Sequence, residues 1–239
     1  NEVLIVEGRK NGKTSECSAV ELDLLINDGE GSPQIYNVAT KADQAKLGFN
    51  ACHKMVRLSP ELRKYIRKRK SDLYFDLNMG YIMPLASNTN GLDGLDVHGA
   101  VIDELAAIKN RDLYDLIKQG SGARSQPLIF TITTNGFVRE GIFDAQYEYA
   151  KRVLAAPDDP DNMHFLPFIY ELDDVSEWTD ESKWIKANPG LGTVKKYDYL
   201  RQMVAKAQQD PSFKPTVLVK DFDMPQTSES GWLTWEELY

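Results

Sequence analysis

Apolar residues in this chain fall into short runs separated by longer amphipathic stretches. "VLIV", Val3 to Val6, is a compact apolar run before a glycine-containing turn, the pattern of a strand buried on both faces. From Thr14 to Ile26, Val20, Leu24 and Leu25 recur on one side and predict a helix. "QIYNVAT", Gln34 to Thr40, predicts a second strand, and Lys41 to Leu58 a second helix. This alternation is that of a doubly wound α/β sheet. Ser59-Pro60 predicts the start of another helix, one that carries "RKYIRKRK", Arg63 to Lys70. "DLYFDL" and "YIMPLAS" flank Asn78-Met79-Gly80, a hairpin signal. Gly99 to Asp103 reads as a strand, Arg111 to Gln119 as a helix, Pro127 to Thr134 as a buried strand, and Glu140 to Ala155 as a helix. "HFLPFIYEL" is a further strand.

After about Asp173 the texture changes. "DESKWIKANPGLG" predicts a short helix stopped at Asn188-Pro189-Gly190, and Tyr197 to Gln209 predicts another. An extended tail is expected to run from there to Trp232 and Trp235. The pattern divides the chain into an α/β core, residues 1–173, and a smaller helical lid and linker subdomain, residues 174–239. The chain opens directly on a core strand, so a preceding N-terminal segment is expected.

Composition narrows the function classes. With 239 residues, 42% of them hydrophobic, the chain can build one substantial core. A formal net charge of −8 excludes a uniformly basic coat for nucleic acid but leaves room for a local basic groove. Cys17 and Cys52 form no metal spacing and read as buried free thiols of a reducing compartment. No apolar run approaches the roughly 20 residues of a membrane span, and no signal peptide is present, so no membrane partner is expected. His53, His98 and His164 are scattered without ligand spacing and receive no role.

Three stretches carry candidate chemistry. "VEGRKNGKTS", Val6 to Ser15, is close to the phosphate-loop pattern G-x-x-x-x-G-K-[ST], but its first glycine is Gly8, one place late. It follows a strand and opens a helix, the setting in which backbone N–H groups cradle an anion. In such a loop Lys13 reaches the β- and γ-phosphates and Thr14 ligates Mg²⁺. "HGAVIDELAA" is an apolar strand ending in Asp103 and Glu104. Asp103 would hold the Mg²⁺ shell and Glu104 would orient the attacking water. In open α/β sheets ligands bind at the carboxyl ends of strands, where both motifs fall. "FTITTNG" ends in Thr133, Thr134 and Asn135, which face the γ-phosphate if this strand lies between the other two. Each stretch also has a plain reading: a basic surface turn, an acidic helix start, a Thr/Asn-Gly turn.

In this order the three stretches, with the later "ANPGLG", resemble the large terminase subunit of tailed bacteriophages, a motor that packages DNA into procapsids. The resemblance covers nearly the whole chain. It implies a P-loop NTPase of the additional-strand, catalytic-glutamate class, with a mainly parallel sheet between helices and a small helical lid. ATP and Mg²⁺ are the implied cofactors. Gly8, Arg9, Lys10, Asn11, Gly12, Lys13, Thr14 and Ser15 then form the nucleotide loop, Thr14 and Asp103 the metal site, and Glu104 the catalytic carboxylate. Thr133, Thr134 and Asn135 occupy the coupling motif that links loss of the γ-phosphate to lid movement. Full-length members also cut DNA with a metal-dependent nuclease, which is expected only beyond Tyr239.

Packaging motors act as rings in which an arginine can complete its own or a neighbour's site. Arg9 is the candidate in cis and Arg124, in "GSGARSQ", the candidate in trans. Arg63, Lys64, Arg67, Lys68, Arg69 and Lys70 read either as a solvated face or as a contact for DNA phosphates. The implied partners are double-stranded DNA, a portal protein, a small terminase subunit and further copies in a ring. The implied location is the host bacterial cytoplasm, docked on the procapsid. The rival readings are another DNA-dependent P-loop ATPase, such as a helicase-like remodeller, and a non-catalytic assembly module with a degenerate loop.

Overall fold

A computed structural model describes residues 1–86, 94–108, 111–137 and 141–226. Glu140, the expected start of one helix, and the tail with Trp232 and Trp235 lie outside the described residues. The elements are β1 (Glu2–Val6), α1 (Lys13–Ile26), β2 (Gln34–Ala39), α2 (Ala42–Leu58), α3 (Leu62–Tyr65), β3 (Ile66–Lys68), β4 (Leu73–Phe75) and β5 (Tyr81–Ala86). There follow β6 (Val97–Asp103), α4 (Asp112–Gly120), β7 (Leu128–Thr133), α5 (Ile142–Ala155), β8 (Phe165–Ile169), α6 (Tyr197–Gln209) and α7 (Lys214–Asp221).

The strands form one sheet in the order β3-β4-β5-β2-β6-β7-β1-β8. From β5 to β8 every pairing is parallel; β3 and β4 are joined antiparallel at one edge. Parallel strands covered on both faces need near-continuous apolar sequence. β6 meets that need with every residue from Val97 to Ile102 buried. Alternate side chains go to opposite layers. Leu4, Val6, Tyr36, Val38 and Ile102 pack with Leu113, Ile117, Ile142 and Phe143 of α4 and α5. Ile35, Ile82 and Leu73 pack with Leu22, Leu25, Phe49, Cys52 and Val56 of α1 and α2. A separate core of Leu172, Trp184, Leu191, Leu200, Val204, Val217 and Phe222 organises the helical part after β8.

Two expectations are corrected. The segment Arg63–Lys70 is not one helix: α3 ends at Tyr65 and the chain turns into edge strand β3. Buried Ile66 pairs with Phe75, and helical spacing would have stacked like charges at i,i+3 and i,i+4. The expected tail also contains a helix, α7. Its Thr216, Val217 and Val219 are weak helix formers, costing a few tenths of a kcal/mol each. Burial of Val217, Leu218 and Val219 contributes about 1.5–3 kcal/mol apiece and outweighs that. Pro215 sits in the first turn, where its missing N–H is no loss.

Candidate active site

Strand order builds the site. β7 lies between β1 and β6, so the ends of all three strands meet at one edge of the sheet. Val6 pairs with Thr133, and Asp103 pairs with Ile132. The Glu7 N–H donates to the Thr133 carbonyl oxygen at 3.2 Å, and the Glu104 N–H to that of Ile132 at 2.8 Å. The turn after β1 and the acidic pair after β6 are thereby fixed to the same strand.

The turn leaves β1 and delivers the chain to the N-terminus of α1. Gly12, with φ 112°, is in the left-handed region where glycine is at ease. Arg9, Lys10, Gly12, Lys13, Thr14, Ser15 and Thr134, together with Val194, line an open cleft of about 460 Å³. Thr14 and Asp103 share a second, narrower cavity with Gln44. Lys13 Nζ donates to the carbonyl oxygens of Glu7 at 2.7 Å and Gly8 at 3.0 Å, and lies 3.8 Å from Glu7 Oε1. Its ammonium is thus held by its own loop. Burial lowers the Lys13 pKa, and the charge of Glu7 works against that. Burial raises Asp103, and Glu104 beside it pushes the same way.

Glu104 has φ 60° and ψ 52°, a left-handed conformation that costs a non-glycine residue of order 1 kcal/mol. The surroundings hold it there: beside the Glu104 N–H bond, Ala106 N–H donates to Thr133 Oγ1 at 3.1 Å. The Glu104 carboxylate accepts from Gln44 Nε2 at 3.1 Å, and Thr40 Oγ1 donates to Gln44 Oε1 at 3.1 Å. Gln44, in the first turn of α2, is a site residue that sequence reading missed. A single polar residue at a helix start carries no signal until the sheet brings β2 beside β6.

The three tip residues of β7 divide their tasks. Thr133 is buried, and its hydroxyl donates to the Thr134 carbonyl oxygen at 2.7 Å, so it braces the turn and does not face the cleft. Thr134 lines the cleft, and its Oγ1 accepts from Lys220 Nζ at 3.1 Å. Asn135 is fully buried: its N–H donates to Asp223 Oδ1 at 2.7 Å and its Nδ2 to the Asp223 carbonyl oxygen at 2.9 Å. The strand tip is therefore bonded directly to the end of the helical part.

The loop is bonded to that part as well. Gly8 N–H donates to the Ala187 carbonyl oxygen at 3.1 Å and Arg9 N–H to that of Lys220 at 2.9 Å. Asn11 is buried and its side chain turns from the cleft: Nδ2 donates to Gly8 O at 2.7 Å and Asn188 Oδ1 at 3.0 Å, and Oδ1 accepts from Gly190 N–H at 3.0 Å. Lys10 Nζ lies 4.6 Å from the ring centre of Tyr199. The Asn11 side chain is thus committed to the helical part, and "ANPGLG" is the loop's docking partner.

Arg124 is placed elsewhere. It precedes β7, whereas the loop and carboxylates follow their strands, so it lies at the opposite edge of the sheet. Its guanidinium, 8% exposed, donates to Asp96 Oδ1 and Oδ2 at 2.7 Å, to Glu30 Oε1 at 3.2 Å, and to the carbonyl oxygens of Gly31 and Ser32. All its donor directions are committed within the chain, which corrects the expectation of an arginine offered to a neighbour. In the basic segment, Lys64 pairs with Glu61 at 2.7 Å, Arg67 with Asp76, and Arg69 with Asp72 at 2.6 Å. Cys17 and Cys52 are buried and unpaired with each other. Among the described residues no helix is long and apolar enough to cross a membrane.

A family model described as "Terminase large subunit, ATPase domain" matches residues 1–152. A second, "Terminase large subunit, endonuclease domain", matches residues 158–238. The sequence alone places the nuclease wholly beyond Tyr239; the match begins instead ahead of β8, so that strand and the helical part fall in a region the family counts with its nuclease. The large terminase subunit of Enterobacteria phage HK97 is 27% identical over 214 residues, 87% of this chain and 41% of that protein. The chain thus spans less than half of that relative. The crystal structure of the HK97 large terminase superposes with a TM-score of 0.84 at 24% identity, over 93% of this chain and 46% of the other. A large terminase from a thermophilic bacteriophage, in complex with ADP, gives 0.51 at 13% identity, over 77% of this chain and 44% of that one.

Proposed function

The chain belongs to the family of terminase large subunits, and on that premise we propose that it hydrolyses ATP to drive double-stranded DNA into a viral procapsid. The observation that supports this most is the strand order. With β7 between β1 and β6, the phosphate loop, the Asp103–Glu104 pair and the Thr134–Asn135 tip share one sheet edge. That is the arrangement an ATPase with an additional central strand and a catalytic glutamate requires.

The residues fit nucleotide and metal. Lys13 now satisfies its ammonium with two carbonyl oxygens of its own loop, and phosphate oxygens are stronger acceptors for the same group. Thr14 and Asp103, which line one cavity, would hold Mg²⁺, whose charge would neutralise the β- and γ-phosphate oxygens. Glu104 takes the proton of the attacking water, with Gln44 setting the direction of its carboxylate. Arg9, in the cleft wall, adds positive charge in cis. Thr134 and Asn135 transmit the change at the phosphates to Lys220 and Asp223. Under this proposal the chain works as a ring on a portal protein, with a small terminase subunit, in the cytoplasm of the bacterial host.

Two substitutions test the chemistry. Lys13→Ala should abolish nucleotide binding. Glu104→Gln should bind ATP normally but slow turnover roughly 10²- to 10⁴-fold, the usual share of a general base. DNA-stimulated hydrolysis that survives Lys13→Ala unchanged would overturn the assignment of the loop.

A further inference from the structure

The ammonium of Lys195 is completely buried, and its partner Asp221 nearly so, at 0% and 5% side-chain exposure. Lys195 Nζ donates to Asp221 Oδ1 at 2.9 Å and to Asn188 Oδ1 at 2.7 Å. A buried ion pair is a poor source of stability, because desolvation consumes most of its attraction. What this pair does supply is orientation. Asn188 Oδ1 accepts from Lys195 and from Asn11 Nδ2, while Asn188 Nδ2 donates to the carbonyl oxygens of Trp184 at 3.1 Å and Asp221 at 2.9 Å. All four bonding positions of the amide are filled, so it cannot turn over.

The chain of contacts runs on to the phosphate loop. Asn11, held by Asn188 and Gly190, in turn holds the Gly8 carbonyl oxygen, which also accepts from Lys13 Nζ. On the far side of the same junction, Asp223 is buried and its Oδ2 has no hydrogen-bond partner; Glu7 Oε1, also buried, has none either and faces Lys13 Nζ at 3.8 Å. The junction is thus a stretch of buried titratable groups in which the donors available decide the geometry.

We infer that Lys195 is a positioning residue for the phosphate loop: through Asn188 and Asn11 it fixes the first half of the loop on the helical part and so sets nucleotide affinity without touching nucleotide. This rests on the loop being the nucleotide site. Removing the ammonium leaves Asn188 Oδ1 with Asn11 Nδ2 as its remaining donor and Asp221 without its cation, so the Asn188–Asn11 contact that holds the Gly8 carbonyl beside Lys13 is loosened.

The test measures binding of a fluorescent ATP analogue, mant-ATP with Mg²⁺, to the whole chain. Lys195→Met should weaken binding about tenfold, a mid-range coupling for residues of one network. Asn11→Ala should do the same, and the two together no more than either alone. Because Lys195→Met strands a buried carboxylate, a second variant separates folding from function. Lys195→Met with Asp221→Leu removes both charges and should recover the thermal midpoint while affinity stays low. Affinity that returns with stability, or effects of Lys195→Met and Asn11→Ala that multiply independently, would reject the positioning role. Wild-type binding with no shift in Lys195→Met rejects this inference alone. A wild-type chain that binds no analogue rejects the phosphate-loop reading and this inference with it.

Discussion

Gly8 stands one place after the position that strict phosphate-loop spacing reserves for glycine. Its surroundings give the reason. A Cβ at Gly8 would come within 2.6 Å of Asn188 Oδ1, 2.7 Å of the Asp221 carbonyl oxygen and 3.2 Å of that of Ala187. Two of these atoms are backbone, and the third belongs to an amide locked by four hydrogen bonds. Glycine is needed here for close approach of the helical part, whereas Gly12 is needed for its left-handed φ. Gly8→Ala should therefore loosen the junction, costing about 1–3 kcal/mol as overpacking does. The expected readouts are a lower thermal midpoint and faster proteolytic cleavage after Leu172. Wild-type behaviour in both would mean that the junction yields without cost. The residue letters show a glycine-rich turn, but the reason for Gly8 lies far along the chain, among residues 187–221, and no local pattern could disclose it.

At the scale of elements, β3 raises the question of what its charges are for. It is the edge strand, and Arg67 and Lys68 on it are exposed. Cationic residues on an edge block pairing with another chain, and that alone accounts for them. Contact with DNA phosphates makes a further demand, a salt-sensitive effect on turnover. Arg67→Glu with Lys70→Glu should reduce DNA stimulation of ATP hydrolysis at low salt and leave the rate without DNA unchanged. No change at low salt would leave edge protection as the whole explanation. The central elements were legible because buried parallel strands must be apolar throughout, as in β6, and because β1 and β6 each end in residues with chemistry. The position of β7 between them was anticipated only as a condition. The end of α3, and β3 and α7, escape the local pattern because their conformation is decided by distant partners: Phe75 for Ile66, and the core around Trp184 and Phe222 for Val217. Gln44, Lys220 and Asp223 were missed for the same reason, since each becomes a site residue only through a strand tip it meets in space.

For the whole molecule, the packing of α1 and α2 against the sheet carries one unusual feature, the carboxyl group of Glu21. It is 1% exposed, Cys52 Sγ donates to its Oε2 at 3.1 Å, and its Oε1 has no partner. Burial raises its pKa from 4.5 to about 8. The unfolded chain ionises Glu21 above pH 4.5, but the folded chain keeps the proton until about pH 8. Between those values the native state binds more protons than the unfolded state, so stability falls as pH rises. Below the window the group contributes no pH dependence, and above it the loss is complete. The slope from this one group is about 1.4 kcal/mol per pH unit at most. In Glu21→Gln the side chain is neutral at every pH, and that slope should vanish. Denaturant unfolding of both proteins at intervals from pH 5 to pH 9 should therefore give a stability difference that shifts in favour of the variant up to about pH 8, then stays constant. A difference independent of pH would mean that Glu21 is ionised in the folded chain throughout and that the α1–α2 layer holds a charge, not a proton. The comparison isolates this group because the carboxyl groups of Glu7, Asp103 and Asp223, which burial also raises, are present in both proteins and cancel.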